Sequence, residues 1–129
     1  MLFPHLSILN NVKFGIRGDN DSRKNKALEF LKLFKVDQYA NSYPNNLSGG
    51  EQQRVAIARS IAPNPKILLM DEPFGSLDDD LKKELREETK KIIKKNKTTC
   101  ILVTHNIEDA LSMSDRIIRL KNGKIEEEK

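Results

Sequence analysis

One stretch of the sequence predicts the start of a helix that can bind an anion. It covers residues 47–54 and reads L-S-G-G-E-Q-Q-R. Ser48 and Glu51 have the spacing of a capping box, so a helix should begin at Gly49 and end before Pro63. The glycines let free N–H groups of the first turn approach a ligand closely, and that turn carries the positive end of the helix dipole. Taken alone, such a turn more often begins an ordinary amphipathic helix than it forms an anion-binding site.

Acidic and histidine-containing motifs follow this helix in a fixed order. An apolar run over residues 67–70 ends in Asp71 and Glu72, an S-L-D sequence ends at Asp78, and a second apolar run ends at His105. In this order and spacing the sequence resembles the ATP-binding cassette (ABC) ATPases, with their signature motif, Walker B motif, D-loop and switch histidine. The resemblance runs along nearly the whole chain, but only to the C-terminal part of such a domain.

The resemblance implies roles in ATP hydrolysis. Glu72 would be the general base, Asp71 would hold Mg²⁺, and His105 would contact the γ-phosphate of ATP and orient Glu72. Placement supports this, because ligands bind at the carboxyl ends of parallel strands, where all three residues are expected. The predicted nucleotide-binding residues, some of them serving a nucleotide held by the opposite subunit, are Ser48, Gly49, Gly50, Glu51 and Asp78.

Structural alternatives exist for these residues. Two acids can simply make a strand end soluble, although Pro73 fixes the turn that follows them. A lone histidine is more often structural, and Asp78 is equally suited to cap the next helix. Gln53 and Arg54 are expected to support the site from behind or to lie on the surface.

The phosphate-binding loop of nucleotide-binding proteins, G-x-x-x-x-G-K-[ST], does not occur in these 129 residues. An aromatic residue to stack on adenine and a Q-loop glutamine are missing as well. We therefore expect the helical subdomain and the second part of an ABC core, as a fragment or the product of a truncated gene. Such a chain would bind ATP and Mg²⁺ weakly or not at all, and alone would not be a competent ATPase.

The hydrophobic pattern predicts an α/β fold. Residues 1–62 should form an ABC helical subdomain, with Ile8, Val12 and Phe14 on one helix face. Residues 63–129 should form part of a RecA-like core with a mostly parallel sheet. Its expected strands are 66–71, 99–104 and 115–120, the first two buried because they are continuously apolar, and a fourth should follow an Asn-Gly hairpin turn. Helices are expected over 22–34 and 78–95.

Composition narrows the class of protein. The net charge of +4 comes from 23 basic and 19 acidic residues, and the lysines of the predicted helix 78–95 alternate with acids. A solvated helix face explains that pattern better than a nucleic-acid interface does. The apolar runs are too short to span a membrane, and residues 1–5 lack the basic region and long apolar stretch expected of a secretory signal. The single cysteine, Cys100, fits a reducing compartment and should be a buried thiol.

Residues 2–12 and the D-E-P-F sequence at 71–74 resemble the ATPase subunits of bacterial importers for iron(III), spermidine, sulfate or maltose. That similarity implies a cytoplasmic protein at the inner face of the cell membrane, with a second ATPase subunit and a membrane permease as partners. The permease would dock near Phe3, Leu6, Ile8 and Leu9, which serve equally well as ordinary core. Two alternatives remain: an ABC ATPase outside transport, or a non-catalytic module for docking or dimerisation.

Overall fold

The computed structural model describes residues 1–128, so Lys129, the last residue of the second predicted domain, lies outside the described residues. Helices come first and then alternate with strands. The elements are α1 (Ile8–Lys13), α2 (Asn20–Leu33), α3 (Gly49–Ile61), β1 (Ile67–Asp71), α4 (Asp79–Lys95), β2 (Thr99–Val103), α5 (Ile107–Met113), β3 (Ile118–Lys121) and β4 (Lys124–Glu128). Two short 3₁₀ turns, Asp37–Tyr39 and Pro44–Asn46, connect α2 to α3.

Local sequence sets where the helices begin. Each of the five begins after a side chain that accepts a hydrogen bond from a backbone N–H in its first turn. These N-caps are Ser7, Asp19, Ser48, Asp78 and Asn106. The predicted capping box is confirmed, with both the Ser48 and the Glu51 side chains in place. Helix α2 begins two residues earlier than predicted because Asp19 caps it.

The main core lies between α1, α2 and α3 and continues under the strands. Ile8 and Val12 are fully buried on one face of α1, as predicted. The prediction for Phe14 is wrong, since 63% of it is exposed. Each helical residue turns the chain by about 100°, so a side chain two positions after Val12 points to the opposite side. The core continues through Leu68 of β1 to Leu85 of α4.

The strands form two separate two-stranded sheets in the described part of the chain. Strands β1 and β2 are parallel, and Leu68 lies opposite Cys100. Strands β3 and β4 form the predicted antiparallel hairpin, in which Asn122 and Gly123 both have positive φ, at 51° and 72°. Strand β3 begins three residues later than expected, at Ile118, and pairs with β4 rather than with the parallel pair.

The expectation that β1 and β2 are buried is wrong for most of their residues, since three of the five in each strand are exposed. Leu68 is buried, whereas Leu69 is 70% exposed, and β2 shows the same alternation. Successive side chains of a strand point to opposite faces, and only one face of this pair is covered within residues 1–128. Cys100 lies on the covered side but is half-buried rather than buried, and partial burial raises the pKa of its thiol.

Candidate active site

Glu72 lies directly after β1, in a backbone conformation that is unusual for a residue with a Cβ. Its φ is 45°, in the left-handed region. Its main-chain N–H donates to the carbonyl oxygen of Val103 at 2.9 Å, which prolongs the β1–β2 pairing by one residue. The carbonyl of Glu72 also accepts from Gly75 N–H at 3.2 Å. The strand end is therefore held from both sides while the chain turns sharply.

The carboxylate of Glu72 contacts the residues that follow β2. Its Oε1 accepts from the main-chain N–H of His105 at 2.7 Å and lies 2.7 Å from Nδ1 of the same residue. Its Oε2 has a longer contact, 3.3 Å, with the hydroxyl of Thr104. The expected meeting of Glu72 and His105 at one sheet edge is thus found.

These contacts favour the ionised form of the Glu72 carboxylate. Desolvation by itself raises the pKa of Glu72, but the hydrogen bonds and charge of His105, with that of Thr104, outweigh it and hold the pKa below its usual value. An ionised carboxylate only accepts hydrogen bonds, so Nδ1 of His105 carries a proton. The imidazole is 85% exposed, which leaves its Nε2 open to a ligand. The pair can therefore accept a proton at Glu72 and sense a ligand at His105.

Asp71 occupies the last position of β1, where it is exposed. It lines an open groove of about 450 Å³ together with Gly49, Gln53 and Ser76. Within residues 1–128, no three histidine, cysteine or acidic residues gather as a metal site. One carboxylate is nevertheless a fitting donor for Mg²⁺, which commonly takes one or two carboxylates together with substrate phosphates and water.

The start of α3 is tightly organised by its own hydrogen bonds. Ser48 N–H donates to Glu51 Oε2 at 2.8 Å, and the hydroxyl of Tyr39 donates to Glu51 Oε1 at 2.7 Å. The Tyr39 contact, followed by that from Ser48, lowers the pKa of Glu51. The described hydrogen bonds of Ser48 and Glu51 stay within this region and do not reach Glu72 or His105. Glu51 thus fixes the shape of the turn.

The two glycines of this turn have different surroundings. A Cβ built on Gly49 would meet nothing within 4 Å, so this residue faces open space. A Cβ on Gly50 would lie 3.1 Å from the carbonyl oxygen of Ser76, in the segment after β1. Asp78, which closes that segment, accepts from Leu81 N–H at 3.1 Å and caps α4. Gly50 therefore allows α3 to approach the segment between β1 and α4.

Gln53 makes contacts that the sequence did not reveal. Its Nε2 donates to the main-chain oxygen of Glu72 at 2.6 Å, and its Oε1 accepts from Ser76 N–H at 2.9 Å. Its neighbour Arg54 donates to the main-chain oxygen of Lys35 at 3.0 Å, so it ties α3 to the end of α2. No periodicity marks either residue, because their partners are 19 or more positions away in the sequence.

The sequence model of the family described as ABC transporter matches residues 1–75. The chain belongs to the ABC transporter family. Its fold agrees with that assignment: a dimeric structure of a post-hydrolysis state of an ATP-binding cassette bound to ADP and Pi superposes with a TM-score of 0.89 at 41% identity, over 99% of this chain and 58% of the other. The predicted α/β class is confirmed.

Several curated relatives of this chain are named as import ATP-binding proteins. The chain is 43% identical over 127 residues to a probable sulfate/thiosulfate import ATP-binding protein of Chlorella vulgaris, covering 96% of this chain and 54% of the relative. It is 46% identical over 130 residues to a spermidine/putrescine import ATP-binding protein of Pasteurella multocida, covering 98% and 35%. The ABC chain thus spans about a third to a half of these relatives. Within residues 1–128, no helix is long and apolar enough to cross a bilayer.

Proposed function

We propose that this chain is part of the ATP-binding subunit of an ABC importer. In that subunit the start of α3 is the signature motif, Asp71 binds the metal and Glu72 is the catalytic base. In this proposal residues 1–62 are the helical subdomain and residues 63–129 belong to the ATPase core. The observation that carries it is the 2.7 Å contact between Glu72 Oε1 and His105 Nδ1 at the carboxyl ends of two parallel strands. ATP hydrolysis needs a base and a phosphate sensor in such proximity.

Each residue then has a definite task. Glu72 accepts a proton from the attacking water through Oε2, because Oε1 is occupied by two contacts from His105. With a proton on each ring nitrogen, His105 donates from Nδ1 to the Glu72 carboxylate and from Nε2 to the γ-phosphate. Asp71 would hold Mg²⁺, which supplies positive charge to the phosphates when bound. The phosphate-binding lysine of this family would come from outside the 129 residues, and we propose that these residues alone do not hydrolyse ATP.

A second ATPase subunit is the first proposed partner. Ser48 and Gly49 are exposed at the start of α3, where the dipole favours an anion. They would contact a nucleotide held by the other subunit, with Gly50, Glu51 and Asp78 shaping that surface. The dimeric ATP-binding cassette with a similar fold supports this arrangement.

A membrane permease is the second proposed partner, which would place the protein at the inner face of the cell membrane. Phe3 and Phe14 lie with ring centroids 4.8 Å apart, and Arg59 stands 4.9 Å above the Phe3 ring. Ile8, one of the residues expected to dock the permease, is fully buried and belongs to the core. The proposed dock is therefore centred on Phe3 and Phe14, a partly exposed aromatic surface suited to an apolar helix.

The test replaces Glu72 by glutamine in the ATP-binding subunit that carries these residues, assembled with its permease. We expect kcat for ATP to fall by about 10²-fold or more, since an amide cannot act as a base, while ATP binding is retained. Glu29→Gln, an exposed acid of α2, is the matched control and should leave kcat unchanged. Wild-type turnover in Glu72→Gln would refute the assignment of the base.

A further inference from the structure

Gln53 lies one turn into α3, and its side chain reaches the turn of residues 72–76 after β1. A primary amide has one donor side and one acceptor side, and both are used here, by the carbonyl of Glu72 and the N–H of Ser76. The partners fix the orientation of the amide, because a flipped head group would place oxygen against oxygen. One side chain thus clamps both ends of this turn.

The clamp acts on a strained residue. Glu72 has a φ of 45°, and a residue with a Cβ keeps such a conformation only where its surroundings hold it. Its carbonyl accepts from two donors, and the 2.6 Å bond from Gln53 is shorter than the 3.2 Å bond from Gly75. The direction of the Glu72 peptide, and with it the side chain, therefore depends on the position of α3.

The same two segments meet at a second point. The main chain of Gly50 approaches Ser76 so closely that an added Cβ would stand 3.1 Å from its carbonyl oxygen. Gly50 and Gln53 both lie on α3, within its first two turns. The helix start and residues 72–76 are therefore in direct contact at Gly50 as well as at Gln53.

We propose that Gln53 is a positioning residue for the Glu72 carboxylate and couples the glycine-capped start of α3 to the catalytic turn. This inference rests on the proposed function, in which that helix start contacts the nucleotide of the opposite subunit. Binding of the opposite nucleotide would then set the geometry of Glu72 through Gln53.

The test compares Gln53→Met, which removes both hydrogen bonds at similar side-chain volume, with Gln52→Met. Gln52 is the adjacent glutamine of α3, and it donates to the carbonyl of Leu47 at 3.1 Å instead of contacting the turn. In the subunit assembled with its permease, we expect Gln53→Met to lower kcat at least about tenfold with less than a twofold change in KM for ATP. Gln52→Met should keep the wild-type kcat.

A double-mutant cycle separates positioning from general structural support. If Gln53 acts through Glu72, Gln53→Met should change the residual single-turnover rate of Glu72→Gln by less than about twofold. An equal loss in both backgrounds would overturn the inference, as would a wild-type kcat in Gln53→Met. Should Gln53→Met fail to fold, Gln53→Glu enters the same cycle, since it keeps the acceptor for Ser76 and loses the donor to Glu72.

The proposed function and this inference fail in different ways. A wild-type subunit without ATP hydrolysis would overturn the proposed function, and the inference with it. A wild-type subunit that needs Glu72 for turnover but tolerates Gln53→Met would overturn the inference alone.

Discussion

Arg86 of α4 and Asp109 of α5 form an ion pair, with Nη1 and Oδ1 3.2 Å apart and only 10% and 2% of their side chains exposed. The contact is close without the alignment of a hydrogen bond. It fixes α5 against α4, and the N-cap of α5, Asn106, directly follows His105. The position of the imidazole that contacts Glu72 therefore rests on an ion pair behind it.

Replacing Asp109 by alanine should lower the free energy of unfolding by about 3–5 kcal/mol, because the buried guanidinium of Arg86 loses its buried counter-charge. Urea unfolding of the chain measures this change. Glu108→Ala is the matched control: Glu108 is 77% exposed and 3.8 Å from Arg86 Nη2, so its loss should cost about 0–1 kcal/mol. Equal losses of unfolding free energy in the two variants would show that burial of the Arg86–Asp109 pair does not add to stability.

His105→Ala should move the acid limb of the pH profile of kcat to higher pH. Desolvation raises the pKa of Glu72, and the His105 ring is the main group that lowers it, so its removal raises that pKa. As the proposed base, Glu72 must be ionised to accept a proton, and a higher pKa means that this form is lost at a higher pH. The pH profile is recorded on the ATPase activity that remains in His105→Ala. His5→Ala, in the loop before α1, should keep the wild-type limb.

Gly50→Ala and Gly49→Ala should differ in stability. A Cβ at Gly50 presses on the carbonyl of Ser76, so overpacking exceeds the gain in helix propensity and the net loss is about 1 kcal/mol. A Cβ at Gly49 meets open space, and the variant should be as stable as wild type or up to about 1 kcal/mol more stable. Urea unfolding distinguishes them. A destabilised Gly49→Ala would contradict the open surroundings of that residue.

Much of the local structure follows from neighbouring residues. Ser48 and Glu51 specify the start of α3 because a capping box needs only residues three apart. Asn122 and Gly123 specify the β3–β4 turn because both accept a positive φ. The meeting of Glu72 and His105 was also predictable, since the ends of adjacent parallel strands lie at one sheet edge.

Burial was less predictable, because it depends on what covers a surface. The apolar runs of β1 and β2 are typical of strands buried on both faces, yet Leu69 and Val103 are exposed on the uncovered side. Phe14 is as apolar as Val12, but the helical twist directs it outward. Arg86 is the opposite case, a charged residue that is buried beside the buried carboxylate of Asp109 on another helix.

The sequence by itself determined the start of α3, the hairpin, the order of the motifs and the meeting of Glu72 with His105. The first three depend on short spacings, and the last follows because adjacent parallel strands end at one sheet edge. Only the tertiary structure decided that the Gln53 amide holds the Glu72 carbonyl and that Gly50 lies against Ser76. Those contacts join segments about 20 or more residues apart. Their geometry is set by how α3 packs beside the strand end, which no local pattern encodes.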